Sequence, residues 1–139
     1  MKIFYETSAT AKGGREGVSA LDDDSFKVNL DSPKKNADAL NPEKLFAMGY
    51  AACFNGAMEV AAKNLGLTPE SSATSVKVGI GQRADTGFAL DIDVTARLTG
   101  LSQEDAQKLA EEAHQICPYS HATRGNIDVR LHVDIGDAA

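Results

Sequence analysis

The stretch Asn41–Leu65, NPEKLFAMGYAACFNGAMEVAAKNL, decides what the rest of the chain has to build. Asn41 can cap a helix start, Pro42 suits the first helical position, Glu43 favours the positive end of the helix dipole, and Gly66 stands where the helix would stop. From Leu45 to Met58 almost every residue is apolar or small, and Leu45, Phe46, Met48, Tyr50, Phe54, Met58 and Val60 are spread around the whole circumference. A helix with no polar face is a buried one. Gly49, Ala51, Ala52, Gly56 and Ala57 permit close backbone approach, so another helix or a sheet is expected to pack tightly here. Cys53 stands in the middle of this surface.

Upstream of that helix, Ile3–Thr10 is rich in β-formers and reads as a strand. The glycines of Gly13-Gly14-Arg15-Glu16-Gly17 mark a tight turn, and Val18–Leu21 forms the returning side. Asp22–Asp24 makes a second turn before the alternating strand Phe26–Leu30, which gives a three-stranded meander. Asp31–Leu40 is a polar connection into the helix. Downstream, Leu67–Thr74 reads as a loop. Ser75–Gln82 and Phe88–Leu98 alternate with period two around the turn Arg83–Gly87, an antiparallel hairpin. Ser102, with Asp105 in place of the usual glutamate of a capping box, starts a second helix over Gln103–Cys117. Its apolar residues fall on one stripe, and Pro118 ends it. Ile127–Ile135 alternates strictly and closes the chain as a strand. The order βββ-α-ββ-α-β, with antiparallel sheets and two main helices, predicts an α+β fold in one domain over 1–139. One sheet covers only one side of the apolar helix, so a second copy of the chain is expected to cover the other as a symmetric dimer.

With 139 residues, of which 42% are hydrophobic, the chain can bury a sizeable core. A net charge of −6 argues against nucleic acid or an anionic membrane as partner, because either wants a basic face. Glu59 and Lys63 interrupt the one candidate membrane span, and MKIFYETSAT lacks the apolar core of a signal peptide, so cytoplasmic localisation is the expectation.

Two cysteines occur, Cys53 and Cys117. In a reducing compartment they are either buried inert thiols or a redox pair that cycles. If the second helix packs on the first, the sulfurs can approach without unfolding. Reactivity needs a cation or donor that lowers the thiol pKa, and a mid-helix Cys53 has no help from its own helix terminus. Arg15, presented from a glycine turn, is the candidate cation; the alternative is a surface arginine paired with Glu16. Glu43 could hold that arginine through a bidentate contact, or could serve only the helix dipole. In one straight helix about 15 Å of axis separates Glu43 from Cys53. A site using both would need a bend near Gly49 or residues from two subunits. His114, His121 and His132 show no metal-ligand spacing with the cysteines, and Gly79-Ile80-Gly81 lacks the following helix of a nucleotide loop.

The segments GGR (13–15), NPEKLFAMGYAACF (41–54), VGIG (78–81) and ICPYSHATRGNI (116–127) together resemble the organic hydroperoxide resistance family of the OsmC-like superfamily. The resemblance runs over essentially the whole chain in the same order. It implies a thiol peroxidase built as an intertwined homodimer with a buried central helix and active sites at the subunit interface. By that resemblance Cys53 is the peroxidatic cysteine and Cys117 the resolving one, Arg15 activates thiolate and peroxide, and Glu43 orients Arg15. It also implies organic hydroperoxide substrates, no bound cofactor or metal, and recycling by dihydrolipoamide or a lipoylated protein. Two departures stand out: a short Asp31–Leu40 connection, and His121 where asparagine is more typical. On this reading Cys53 attacks the peroxide, the alcohol leaves, and the sulfenic acid condenses with Cys117. An apolar pocket formed by residues such as Phe54, Met48 and Tyr50 would bury the alkyl tail. Two other readings remain open, an OsmC-type peroxidase of different substrate range and a non-enzymatic ligand-binding dimer with inert thiols.

Overall fold

The computed structural model describes residues 1–136. In chain order the elements are β1 (Ala9–Lys12), a 3-10 turn (Gly14–Glu16), β2 (Val18–Leu21), β3 (Lys27–Asn29), α1 (Pro42–Leu65), β4 (Ser71–Gln82), β5 (Phe88–Thr99), α2 (Gln103–Ile116), α3 (Pro118–Thr123) and β6 (Val129–Asp134). The fold is α+β. The chain forms two compact units, Met1–Leu45 and Phe46–Ala139, with α1 starting in the first and continuing in the second.

The first unit is the expected meander, an antiparallel sheet in the order β1-β2-β3 with Ala9 opposite Leu21 and Val18 opposite Asn29. Gly13 and Gly14 both take left-handed backbone, φ 81° and 64°, and a side chain at Gly17 would run into the Lys12 carbonyl, which is why this turn needs its glycines. The strand expected over Ile3–Thr10 is corrected: β1 begins only at Ala9. β2 is four residues long and offers no partner further back, so Ile3, Phe4 and Tyr5 stay exposed despite their β propensity. Asn41 caps α1 as expected, its Oδ1 accepting from the Lys44 N–H at 2.8 Å. Lys44 Nζ donates to the carbonyls of Ala37 and Ala39, tying the polar connection to the start of the helix.

The second unit contains the sheet β4-β5-β6. β4 pairs antiparallel with β5 from Ser71 to Gln82, starting earlier than the period-two pattern suggested because Ser71–Thr74 finds partners in Ala96–Thr99. β6 lies parallel to β5, Ile92 opposite Val129, so this sheet is mixed rather than wholly antiparallel. The cause is the crossover: α2 and α3 carry the chain back before β6 begins. On β5 the residues Ile92, Val94, Ala96 and Leu98 face the core, while Asp91, Asp93 and Arg97 face outward. Ser102 caps α2, its Oγ accepting from the Asp105 N–H at 3.1 Å.

Tyr50, Phe54, Met58 and Ala61 of α1 join that sheet face and the apolar stripe of α2 in one core. The buried central helix is therefore buried on one side only within a single chain; Met48 and Val60 are 62% and 47% exposed. By length and composition alone α1 is long and apolar enough to cross a membrane, which corrects the expectation that Glu59 and Lys63 rule out such a run. Its place in the core accounts for the apolar residues of one face, Tyr50, Phe54, Met58 and Ala61 among them.

Candidate active site

Cys53 lies midway along α1 and is half-buried, while Cys117 is fully buried at the junction of α2 and α3. The Cys117 N–H donates to the Ala113 carbonyl and closes α2; the Cys117 carbonyl accepts from the His121 N–H and opens α3. This junction brings the two sulfurs to 3.8 Å as free thiols. They are in van der Waals contact, short of the roughly 2.05 Å of a disulfide bond. Gly49 leaves room on α1 for the first turn of α3. A Cβ on Gly49 would stand 2.7 Å from Tyr119 Oη, so the missing side chain is the space into which the Tyr119 ring packs.

Burial pushes the Cys53 thiol above its ordinary value, and the neighbouring Cys117 adds to the rise. The backbone N–H of Tyr119 works in the opposite direction. Tyr119 belongs to the first turn of α3, so a helix N-terminus does face Cys53, contributed by a second helix that the sequence did not reveal.

In the Met1–Leu45 unit, Arg15 sits in the 3-10 turn and its Nη2 donates to Glu43 Oε2 in the first turn of α1. Glu43 is largely buried and Arg15 half-exposed. The competing partner, Glu16, pairs instead with Lys35 at 2.9 Å. Of the two carboxylates considered as partners for Arg15 in the sequence, Glu43 is the one it pairs with.

Phe46, Tyr50 and Tyr119 form an aromatic cluster with ring centroids 5.5 to 5.9 Å apart. Beside it opens a pocket of about 680 Å³, lined by Phe46, Phe88, Leu90, Tyr119, Ala122 and Ile127, with Arg83 as its one charged lining residue. The expected lining is corrected here. Phe54 and Tyr50 are fully buried in the core and Met48 points to solvent, so Phe46 and the β5 and α3 side chains do that job instead. Arg83 is already occupied, its Nε donating to Asp85 and its Nη1 to the Phe88 carbonyl. Sequence reading also missed a buried polar link beneath the thiols, in which Ser120 Oγ lies 2.7 Å from Tyr50 Oη and 2.8 Å from His114 Nδ1. His132 bonds Asp93 on the outer sheet face, and His121 is exposed on α3. Among the described residues no cluster of three or more His, Cys, Asp or Glu is arranged to hold a metal.

An α+β subunit carrying a contacting thiol pair at the junction of three helices defines a class, and residues 34–132 match it as OsmC-like protein. The chain belongs to the OsmC-like family, in its organic hydroperoxide resistance branch. An organic hydroperoxide resistance protein of Xanthomonas axonopodis is 44% identical over 94% of each chain. A Staphylococcus epidermidis relative, described as organic hydroperoxide resistance protein-like 1, is 42% identical over 97% of this chain and 99% of its own. Among solved structures, an organic hydroperoxide resistance protein of Elizabethkingia anophelis superposes with a TM-score of 0.91 at 42% identity, covering 98% of this chain and all of that one. The Bacillus subtilis structure of the same description gives 0.86 at 38% identity, covering 94% of this chain and 98% of that one.

Proposed function

We propose that this chain is a cysteine-based thiol peroxidase that reduces organic hydroperoxides to alcohols. The observation that carries the reading is the 3.8 Å contact between Cys53 and Cys117. The Cys53 thiolate attacks the distal peroxide oxygen; the O–O bond breaks, the alkoxide leaves and takes a proton as alcohol, and Cys53 is left as sulfenic acid. Cys117 then displaces water from that sulfenic acid to give a disulfide. Dihydrolipoamide or a lipoylated protein reopens it by thiol–disulfide exchange, becoming lipoamide as the two thiols return.

Burial raises the Cys53 pKa, so the thiolate needs a cation. Arg15 supplies it in this reading, held in orientation by the ion pair with Glu43. The apolar pocket beside Tyr119 takes the alkyl part of the substrate and favours alkyl peroxides over hydrogen peroxide. The exposed Met48 and Val60 on α1 are covered by a second copy of the chain, and the cycle suits a reducing cytoplasm.

A thiol count on reduced protein after one equivalent of cumene hydroperoxide, followed by dihydrolipoamide, tests this. Loss of both thiols and their recovery is the expected result. Survival of both would leave a ligand-binding dimer with inert thiols as the better account of the pocket. Faster turnover with hydrogen peroxide than with alkyl peroxides would favour an OsmC-type substrate range.

A further inference from the structure

We propose that Ser120 is the positioning residue for disulfide formation, its hydroxyl locking three helices so that Cys117 reaches the oxidised Cys53. The inference rests on the thiol peroxidase reading and goes beyond it by separating what holds the sulfurs together from what activates them.

Ser120 is fully buried in the first turn of α3. Its Oγ meets Tyr50 Oη of α1 at 2.7 Å and His114 Nδ1 of α2 at 2.8 Å. Each of these residues lies about one helical turn from a cysteine: Tyr50 before Cys53, His114 before Cys117, Ser120 after Cys117. The hydroxyl junction therefore sits one turn from both sulfurs and links every element that carries them. Arg124 reinforces it from the end of α3, Nη2 donating to the His114 carbonyl at 2.6 Å.

The protons have one order that satisfies all three groups. Tyr50 is fully buried, and among the described residues Ser120 is the partner of its hydroxyl, so Tyr50 donates to Ser120 Oγ. Ser120 then has its own O–H for His114 Nδ1, which accepts as neutral imidazole. Burial first, and the Arg124 charge second, hold His114 below the ordinary imidazole range, which agrees with that assignment. The reverse order leaves the Tyr50 proton without an acceptor in the core. A directed chain with no slack is a brace.

The step it serves is sensitive to position. Cys117 Sγ attacks the Cys53 sulfenic sulfur; the S–S bond forms, the S–O bond breaks, and hydroxide leaves with the Cys117 proton as water. One sulfur is reduced while the other is oxidised, so no further reactant is needed. The sulfurs must close from 3.8 Å to about 2.05 Å, and displacements of an ångström cost such reactions up to about a hundredfold. The preceding oxidation needs only Cys53 and substrate.

The test follows reduced full-length protein mixed with one equivalent of cumene hydroperoxide, with dimedone present to trap sulfenic acid and mass spectrometry to count adducts. Wild type is expected to close its disulfide before dimedone reacts. Ser120→Ala should be oxidised at Cys53 within about threefold of the wild-type rate, yet condense on the order of tenfold more slowly, so that the Cys53 adduct dominates. Tyr50→Phe keeps the ring against Phe46 and Tyr119 and removes only the hydroxyl; it should shift the partition the same way by less, and serves if Ser120→Ala fails to fold. Wild-type condensation in whichever variants fold, even with reduced thermal stability, would overturn the inference and leave the peroxidase intact. A wild type that loses no thiol to peroxide would overturn both.

Discussion

Gly49→Ala is a small change whose consequences the geometry separates. On an exposed helix interior the substitution stabilises by roughly 1 kcal/mol, through backbone entropy. Here the new Cβ would stand 2.7 Å from Tyr119 Oη and 3.3 Å from the ring carbon that carries it. The Tyr119 ring is more than a third exposed and can swing outward, but it then leaves both Phe46 at 5.8 Å and Tyr50 at 5.5 Å. Each such aromatic pair is worth about 0.5–1.5 kcal/mol beyond its buried area. Losing two therefore costs about 1–3 kcal/mol, of which the helix gain offsets about 1 kcal/mol. The variant is expected to be less stable by up to about 2 kcal/mol in urea unfolding. Because Tyr119 lines the apolar pocket, KM for cumene hydroperoxide should rise severalfold while the rate with hydrogen peroxide changes little. A variant about 1 kcal/mol more stable than wild type, with unchanged KM, would refute both the packing and the pocket assignment.

The remaining predictions concern the thiols and the charges. Cys53→Ser should abolish peroxide turnover, whereas Cys117→Ser should consume one equivalent and stall as a sulfenic acid, read by single-turnover kinetics and mass spectrometry. Arg15→Met should raise the pH midpoint of Cys53 alkylation by iodoacetamide above that of wild type, because the thiol that burial and Cys117 already push up then lacks a cation; coincident profiles would remove Arg15 from the site. Glu43→Gln should cost under about 1 kcal/mol of stability, since Arg15 is half-exposed, yet slow peroxide reduction about tenfold or more by releasing the guanidinium. His114 is held below its ordinary 6.5, so above that pH it is neutral folded or unfolded; as pH falls below about 6.5 the unfolded chain takes up the proton first and stability drops. His114→Asn should flatten that fall between pH 7 and 5.5 in thermal unfolding, ahead of losses near pH 4 from carboxylates such as Asp91 that ion pairs hold low.

What could be read from residue order was whatever has a local cause. Asn41 and Ser102 cap α1 and α2 because each side chain reaches a nearby N–H within its own helix, and the period-two strands β4 and β5 follow from one buried face. α3 escaped notice because six residues hold too few turns for periodicity, and Pro118 signals equally the end of one helix and the first position of the next. The parallel direction of β6 depends on the crossover rather than on its own alternation. For the candidate site, Cys53 and Cys117 stood out as residue types, whereas Tyr50, His114 and Ser120 are ordinary core and turn residues until three helices bring them to one point.

That contrast reflects two demands on the same thiol. In the proposed mechanism, condensation wants Cys53 and Cys117 packed in contact, which means burial, and burial disfavours the thiolate that would attack peroxide. A single device cannot meet both, because a cation strong enough to ionise a dry thiol would also need desolvating beside it. The chain divides the work. Packing and the Ser120 junction belong to the core, whereas in the proposed mechanism the charge is assigned to the half-exposed Arg15 of a glycine turn, which pairs with Glu43. An exposed arginine retains most of its hydration until substrate excludes water, so its attraction for the thiolate strengthens when it is needed. The cation should therefore matter most to the first oxidation and the junction to the second step. Arg15→Met and Ser120→Ala should consequently combine additively when the two steps are timed separately, each slowing its own and leaving the other close to wild type.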